Sequence, residues 1–335
     1  MFPHAERDGS GRHPIGEVWT LVTHPRHTSV VANGPLRGRP LDQLIREARE
    51  RYLGRLKTDR FPLLVKFIDA ATDLSVQIHP DDAYSRAVEG DYGKSEAWYI
   101  LHAPEDGRII SGHRFASREE YFRAVAEGRV ESYLLEQPIT PGELVYIPSR
   151  TVHALLGGTT VIEIQQPSDV TYRIYDWDRI DVVTGKPREL HIEKAADVIR
   201  YGDDSLAEKS RTALHTPFFT IERHALKTGG RMTFSPQAAG LPEVIVVAEG
   251  PGILTADGVI APSPTSVAST MDLSPSIRAT GAPMRSADSP DDVTRLALAP
   301  GDTLLIPADV PAYTVQATGT LIFLRTVPGF GGDAA

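Results

Sequence analysis

The sequence predicts a mainly β protein made of two related sandwich or barrel domains, with a few helices at the periphery. Most apolar stretches are short, rich in Val and Ile and bounded by Gly or Pro, as in LLVKFI, AWYIL, ELVYIP, VIEIQ and EVIVVAEG. Such strands are typical of sandwiches and barrels, whereas βαβ folds alternate their strands with longer helical patterns. A motif that occurs once in each half of the chain indicates that the two domains are related.

The repeated motif opens with Pro, Gly and an acidic residue. One copy, PGELVYIPSRTVHAL, begins at Pro141, and the other, PGDTLLIPADVPAYT, begins at Pro300. Another β-rich run follows each copy, TTVIEIQ in the first case and GTLIFLRT in the second. A further pair of runs, SEAWYIL and PEVIVVA, aligns Glu96 with Glu243. The repeat therefore predicts that each domain builds the same set of strands.

The repeat also predicts how function divides between the domains. We expect a first domain at residues 1–205 and a second at residues 206–335. His153 of the first copy falls opposite Ala312 of the second. We therefore expect a catalytic, metal-binding first domain and a degenerate second domain without metal ligands.

Helical periodicity is clear in only two places. The segment PLDQLIREARERYLG predicts one helix from Pro40 that ends on a glycine cap at Gly54. The segment SREEYFRAVAEGR predicts another, with Ser117 and Glu120 placed to form a capping box. Residues 261–292 are rich in Pro, Ser, Ala and Thr, which predicts a long surface loop.

Composition limits the classes of function. With 335 residues, 41% of them hydrophobic, the chain is long enough for two domains with buried cores. No apolar run approaches the roughly 18 residues of a membrane helix, and MFPHAERDGSGRHP lacks the apolar segment of a signal peptide. We therefore expect a cytoplasmic protein without a membrane partner. The net charge of −9 argues against nucleic acid as the main partner. The sequence does not specify the oligomeric state.

A metal site is predicted where polar side chains interrupt short apolar runs. The chain has no cysteine, so any metal needs His, carboxylate or amide ligands. Gln77 and His79 share one face of the strand SVQIH, while its Val and Ile face the other way. Glu96 lies on the next β-rich run, and His153 follows YIPSRTV. Together these four residues offer the nitrogen and oxygen ligands that zinc accepts at roughly 2.0–2.2 Å.

The charge of this ligand set indicates catalysis. One carboxylate and three neutral ligands leave a divalent ion with a net charge near +1, so it remains a Lewis acid. His79, Glu96 and His153 alone also satisfy the two-histidine, one-carboxylate triad of non-haem iron oxygenases. Gln77 favours zinc over iron only modestly.

These segments resemble a known family. LSVQIHPDD, GKSEAWYIL, YIPSRTVHAL and VTYRIYDWDR, with SVVANGPLRGRPLDQLI upstream, are similar to the type I phosphomannose isomerases, zinc enzymes of the cupin superfamily. The resemblance runs from about Gly16 to Glu193, with a weaker cupin-like likeness to the C-terminus. It implies two cupin-like jelly-roll domains, one Zn²⁺ per chain, and interconversion of mannose 6-phosphate and fructose 6-phosphate.

The resemblance also implies roles for individual residues. Gln77, His79, Glu96 and His153 match the family's zinc ligands. Arg173 matches its active-site arginine, and Lys94 matches the lysine of its GK(T/S)E segment. Lys66 and Ser75 match positions associated with the sugar phosphate. In the family reaction the metal holds the substrate oxygens while a base moves a proton through a cis-enediol(ate), and Lys94 and Glu163 both qualify as that base by type.

The sequence departs from the family at the substrate end. The chain reaches GEVWTL by Gly16, without the additional N-terminal stretch that family members usually have, and a small polar residue commonly precedes the position of Trp19. We expect Trp19 among the substrate-binding residues. The chain also lacks the long helical insertion of larger members and resembles the compact form.

Two other functions remain open. Cupins also serve as sugar-binding modules and as iron oxygenases, so a sugar-phosphate-binding module without turnover is the second hypothesis and an oxygenase the third. The sequence shows no helix-turn-helix or basic arm, which weakens a DNA-binding regulator.

Overall fold

The computed structural model describes residues 16–32, 34–181, 184–257, 261–262, 267–268 and 293–330. The chain forms two compact units, Ile68–Ser210 and Met1–Phe67 together with Arg211–Ala335. We call them the middle unit and the terminal unit, after their positions in the sequence. Residues up to and including Phe67 thus group with the C-terminal strands. The predicted division at residue 205 into a metal-binding and a metal-free domain stays a prediction.

Strands dominate the described chain, as predicted. In chain order they are β1 Glu17–Leu21, β2 Thr23–His24, β3 His27–Thr28, β4 Leu64–Ala70, β5 Val76–Ile78, β6 Glu96–His102, β7 Arg108–His113, β8 Leu134–Pro138, β9 Leu144–Ile147, β10 His153–Leu155, β11 Thr159–Gln165, β12 Tyr172–Tyr175, β13 Glu208–Ser210, β14 Ala213–His215, β15 Phe219–Leu226, β16 Arg231–Phe234, β17 Glu243–Glu249, β18 Gly252–Asp257, β19 Ala261–Pro262, β20 Val267–Ala268, β21 Val293–Leu298, β22 Thr303–Ile306, β23 Tyr313–Ala317 and β24 Leu321–Pro328.

Helices are few and short. They are α1 Leu41–Glu47, α2 Arg49–Leu53, α3 Asp82–Val88, α4 Arg118–Ala126, α5 Ile192–Val198 and α6 Pro236–Ala239, with a 3₁₀ turn at Val130–Tyr133. Over the part of the chain that the structure describes, no helix is long and apolar enough to cross a membrane.

The middle unit contains two antiparallel sheets. One includes the neighbouring strands β13-β9-β6-β11, and the other has the order β12-β5-β10-β7-β8. Side chains from both sheets form one buried cluster, which includes Trp98 and Ile100 from the first sheet and Ile109 and Leu155 from the second. The second sheet therefore packs one face against the first sheet.

Helices α4 and α5 cover the other face of the second sheet. Val76 and Ile78 of β5 are fully buried there, in a cluster with Tyr121 of α4 and Ala195 of α5. Because side chains alternate along a strand, the residue between Val76 and Ile78 and the residue after Ile78 face the opposite side. The predicted alternation in SVQIH is confirmed.

The terminal unit also contains two antiparallel sheets. Their strand orders are β14-β15-β24-β17-β22-β19 and β16-β23-β18-β21. Ile245 of β17 and Phe323 of β24 pack with Leu254 of β18 and Val315 of β23 in one buried core.

The strand register confirms the predicted repeat. In the middle unit Glu96 lies opposite Ile147 on the neighbouring strand, and in the terminal unit Glu243 lies opposite Ile306. Each isoleucine comes from the Ile-Pro of its Pro-Gly motif. The two copies therefore build the same strand pair around the same carboxylate position.

The predicted helix from Pro40 to Gly54 is wrong in one respect. Ala48 has φ −140° and ψ 57°, which are not helical, so the segment forms α1 and α2 rather than one helix. The break reorients α2, and Tyr52 and Leu53 are buried beyond it. Gly54 does end the segment, with a positive φ of 55°.

The predicted cap of α4 forms in a modified way. The Ser117 hydroxyl accepts a hydrogen bond from the Glu120 N–H at 3.2 Å, whereas the Glu120 carboxylate accepts from Ala116 N–H rather than from Ser117 N–H. The predicted loop at residues 261–292 lies mostly outside the described residues, and the four residues of it that are described belong to β19 and β20.

Candidate active site

Two histidines and a glutamate meet in the interior of the middle unit. His79 directly follows β5, Glu96 begins β6 and His153 begins β10. Each histidine Nε2 lies 3.3 Å from a different carboxylate oxygen of Glu96. All three side chains are buried, and their potential ligand atoms lie within 4.8 Å of one another. The structure thus brings together three of the four predicted metal ligands.

Backbone carbonyls fix the orientation of both imidazole rings. Nδ1 of His79 lies 2.9 Å from the Val170 carbonyl oxygen, and Nδ1 of His153 lies 2.8 Å from the Thr151 carbonyl oxygen. Because a carbonyl only accepts, the assigned tautomer carries its proton on Nδ1. The unprotonated Nε2 of each ring then faces Glu96, and the hydrogen bond from Nδ1 to a carbonyl is the arrangement found in histidines that bind a metal through the other nitrogen.

The protonation states suit a divalent cation. Burial lowers the pKa of His79 to about 3 and also lowers the pKa of His153, so both rings are neutral at pH 7. Burial alone would raise the pKa of Glu96, but the positive charge of Lys94 holds it well below its usual value. The set therefore offers two neutral nitrogens and one carboxylate.

The hydrogen bonds of this group leave buried acceptor atoms available to a metal. Glu96 Oε1 and His153 Nε2 are buried, face each other as two acceptors, and have no hydrogen-bond partner among the residues described. On the other side of the carboxylate, the Lys94 ammonium contacts Glu96 Oε2 and lies 2.9 Å from His79 Nε2. The acceptor atoms of Glu96 and the two histidines therefore either contact the Lys94 ammonium or have no partner. Buried acceptors of this kind fit a divalent metal.

Gln77 is next to this group in the sheet. Its backbone is paired with that of His153 on one side and that of Arg173 on the other. It shares its strand face with His79. Its role as the fourth ligand stays a prediction.

Lys94 and Glu163 lie beside the ligand group. Both are buried, and Lys94 Nζ is 4.0 Å from Glu163 Oε1. Trp98 Nε1 donates a hydrogen bond of 3.0 Å to the other oxygen of Glu163. The two predicted bases are therefore adjacent and next to the candidate metal ligands.

Comparisons with known proteins identify the relatives of this chain. A family model described as "Phosphomannose isomerase type I, catalytic domain" matches residues 4–106. A mannose-6-phosphate isomerase of Streptococcus mutans is 41% identical over 226 residues, which are 65% of this chain and 71% of the relative. A putative mannose-6-phosphate isomerase of Bacillus subtilis is 34% identical over 318 residues, which are 92% of this chain and 88% of the relative.

This chain belongs to the type I phosphomannose isomerase family. A crystal structure of the Bacillus subtilis mannose 6-phosphate isomerase matches 93% of this chain and 89% of its own, with 32% identity and a TM-score of 0.71. A putative mannosephosphate isomerase from Archaeoglobus fulgidus has the same fold, with 20% identity and a TM-score of 0.67. The predicted family and the mainly β, cupin-like fold class are confirmed.

Arg173, the predicted active-site arginine, is half-buried on β12. Its Nη1 donates to the Glu189 carbonyl oxygen at 2.8 Å, and its Nε has no hydrogen-bond partner within the described ranges. Burial lowers its pKa, and Arg188 nearby adds to that effect. The carboxylate of Asp176, three residues further along the chain, is paired with Arg179 and Arg188.

The predicted substrate-binding residues lie in different units. In the terminal unit, Lys66 Nζ lies 4.8 Å from the centre of the Trp19 ring and 3.9 Å from Glu17 Oε2, and Trp19 Nε1 donates to the other carboxylate oxygen of Glu17. In the middle unit, Ser75 is buried just before β5. Their role at the sugar phosphate stays a prediction.

Sequence reasoning missed Trp98. Its indole contacts Glu163, and its ring meets that of His153 edge-on, with centroids 5.7 Å apart. An aromatic residue in a strand usually indicates only a core position. The available signal was spacing, because Trp98 lies two residues after Glu96 and so shares its strand face.

Proposed function

We propose that this protein is a zinc-dependent aldose–ketose isomerase that interconverts mannose 6-phosphate and fructose 6-phosphate through a cis-enediol(ate). The observation that carries the proposal is the buried group of His79, Glu96 and His153 with Lys94 and Glu163 beside it. Relatives that align with most of this chain are named mannose-6-phosphate isomerases. A cytoplasmic location, expected from the sequence, is part of the same proposal.

Four residues would hold the zinc ion, namely Gln77, His79, Glu96 and His153. When bound, such an ion supplies Lewis acidity that stabilises negative charge on sugar oxygens. The carbonyls behind the two histidines keep their rings in one orientation, so little reorganisation accompanies binding.

The proton shift between C1 and C2 needs a group that takes a proton from one carbon and returns it to the other. Glu163 is suited to accept the proton as a carboxylate, and Lys94 is suited to donate one as an ammonium. The two are 4.0 Å apart, so both can approach the same substrate bond. We propose that this pair performs the transfer, without assigning the first step to either residue.

Two cationic side chains, Arg173 and Lys66, are proposed to stabilise negative charge on the substrate. Arg173 keeps its guanidinium charge at neutral pH, and its Nε has no hydrogen-bond partner among the described residues, so it is suited to stabilise the developing oxyanion. Lys66 and Ser75, together with Trp19, are proposed to bind the phosphorylated end of the hexose. An acidic protein needs such local positive charge to attract a dianion.

Turnover without oxygen tests the proposal. Purified protein loaded with zinc and given mannose 6-phosphate under strict exclusion of oxygen is expected to form fructose 6-phosphate, because isomerisation is redox-neutral. In deuterated water some solvent label should enter the product carbon. His153→Ala should lose both metal and turnover, whereas His224→Ala, a histidine of the terminal unit, serves as the matched control and should keep both.

Two outcomes would contradict the proposal. Binding of the sugar phosphate without conversion would favour a binding module. A strict requirement for iron and oxygen would favour an oxygenase. His79, Glu96 and His153 could also form the two-histidine, one-carboxylate triad of such an enzyme.

A further inference from the structure

We infer that Trp98 is a positioning residue that orients the Glu163 carboxylate for proton transfer. The inference rests on the proposed function, in which Glu163 is one of two groups that move the proton. Trp98 itself does not touch the reacting atoms and acts through Glu163.

The geometry links Trp98 to Glu163 directly. The two residues are opposite each other on β6 and β11, and Trp98 Nε1 donates to Glu163 Oε2 at 3.0 Å. Both side chains are buried, so this hydrogen bond does not compete with bulk water. Rotation about the last side-chain bond of glutamate is otherwise soft. A fixed donor on Oε2 thus fixes the direction of Oε1, which lies toward Lys94.

The internal repeat shows that the fold does not need this donor. Two residues after the repeated glutamate, the middle unit has Trp98 opposite Glu163, and the terminal unit has Ile245 opposite Arg325. Ile245 is fully buried in a core, as is Trp98. An apolar side chain without an N–H group, such as Ile245, therefore packs well at this strand position. The middle unit, which contains His79 and His153, has both the indole donor and the carboxylate acceptor. The terminal unit has neither at the corresponding positions.

The second contact of Trp98 supports the same role. Its ring meets the ring of His153 edge-on, with centroids 5.7 Å apart. One rigid side chain thus contacts a candidate metal ligand and a candidate base. A displacement of about 1 Å between such groups lowers turnover by about 100-fold, so holding them in a fixed relation matters for rate.

A double-mutant cycle on the zinc-loaded enzyme tests the inference. Trp98→Phe keeps an aromatic core residue and removes the donor; it is expected to lower kcat about 10-fold and to leave KM within about 2-fold and metal content unchanged. Glu163→Gln is expected to lower kcat about 100-fold. Adding Trp98→Phe to Glu163→Gln should change kcat by less than about 2-fold, because the group that Trp98 orients is already lost. Tyr99→Phe, on the opposite face of β6, is the control for a conservative core change and should keep the wild-type kcat.

A second measurement separates the donor from the bulk of the ring. Replacement of Trp98 by benzothienylalanine keeps the shape of the indole and removes only the N–H, and it should reproduce the fall in kcat even where Trp98→Phe is too unstable to study. The indole N–H resonance of Trp98 should also move in Glu163→Gln, whereas those of Trp19 and Trp177 should not. Wild-type kcat in the benzothienylalanine protein, or full additivity in the cycle, would overturn the inference and leave the isomerase proposal intact. A wild-type enzyme that makes no fructose 6-phosphate would overturn both.

Discussion

Removing Arg325 should destabilise the terminal unit by leaving a buried carboxylate without a counter-charge. Glu243 is 1% exposed and accepts hydrogen bonds from Arg325 Nε at 2.6 Å and from the Tyr313 hydroxyl. A second nitrogen of Arg325 reaches the other oxygen of Glu243, and a third donates to Glu222 at 2.8 Å. Arg325 is therefore the main positive charge beside Glu243.

Arg325→Met should lower the free energy of unfolding by about 3–4 kcal/mol. Breaking a buried ion pair from one side costs about 3–5 kcal/mol, and the lower part of that range applies because the Arg325 side chain is 17% exposed. Adding Glu243→Gln should recover most of the loss, to within about 1–2 kcal/mol of the wild type, because no buried charge then remains. Arg231→Met, on an exposed position of β16, is the matched control and should change stability by less than about 0.5 kcal/mol.

Denaturant unfolding combined with native-state hydrogen exchange would measure these changes. Exchange at amides of β17 and β24 reports the terminal unit separately, which matters because a chain of two units need not unfold in one step. The reasoning fails if Arg325→Met unfolds at the wild-type denaturant concentration. It also fails if Glu243→Gln makes the Arg325→Met protein less stable rather than more.

Further predictions concern the metal, the substrate and one helix. The protein should contain one divalent ion per chain, measured by elemental analysis, and His79→Ala should lose it; two ions per chain would contradict the proposed single site. Lys66→Ala should raise KM more than it lowers kcat, if Lys66 contributes uniform binding of the phosphate, and an unchanged KM would exclude it from that role. Arg173→Gln should keep the metal and lose most turnover, since its proposed role is to stabilise developing charge, and full activity would refute that role. Ser117→Ala should cost about 1 kcal/mol through loss of the cap of α4, detectable as lower protection of the first α4 amides in hydrogen exchange.

Much of the candidate site could be predicted because strand periodicity is a local property. The alternation in SVQIH places Gln77 and His79 on one face, and the two apolar neighbours on the other, without knowledge of any partner strand. The repeat of the Pro-Gly motif likewise predicted which strands would recur. The family resemblance supplied residues such as Arg173 that spacing alone did not identify.

What could not be predicted depends on contacts between distant parts of the chain. The role of Trp98 requires the register between β6 and β11, which the sequence of either strand does not specify. The contact between Arg325 and Glu243 likewise depends on the register between two strands. In that register Arg325 lies opposite Ile245, as Glu163 lies opposite Trp98 in the middle unit. The break at Ala48 was missed for another reason, since alanine has the highest intrinsic helix propensity and tertiary packing overrides it.

The alternation of β5 limits how this site can change over generations. The strand is three residues long and presents apolar side chains to the core under α4 and α5 and polar ones to the interior of the unit. Loss or gain of one codon just before His79 would exchange the two faces, placing Val or Ile among the proposed metal ligands and an amide in the helix-covered core. Single-base substitutions do not carry this penalty, and a third-base change converts a Gln codon to a His codon. If Gln77 is the fourth ligand, as proposed, point mutation can therefore change the ligand at position 77, while insertions and deletions in this segment would disrupt both faces of the strand.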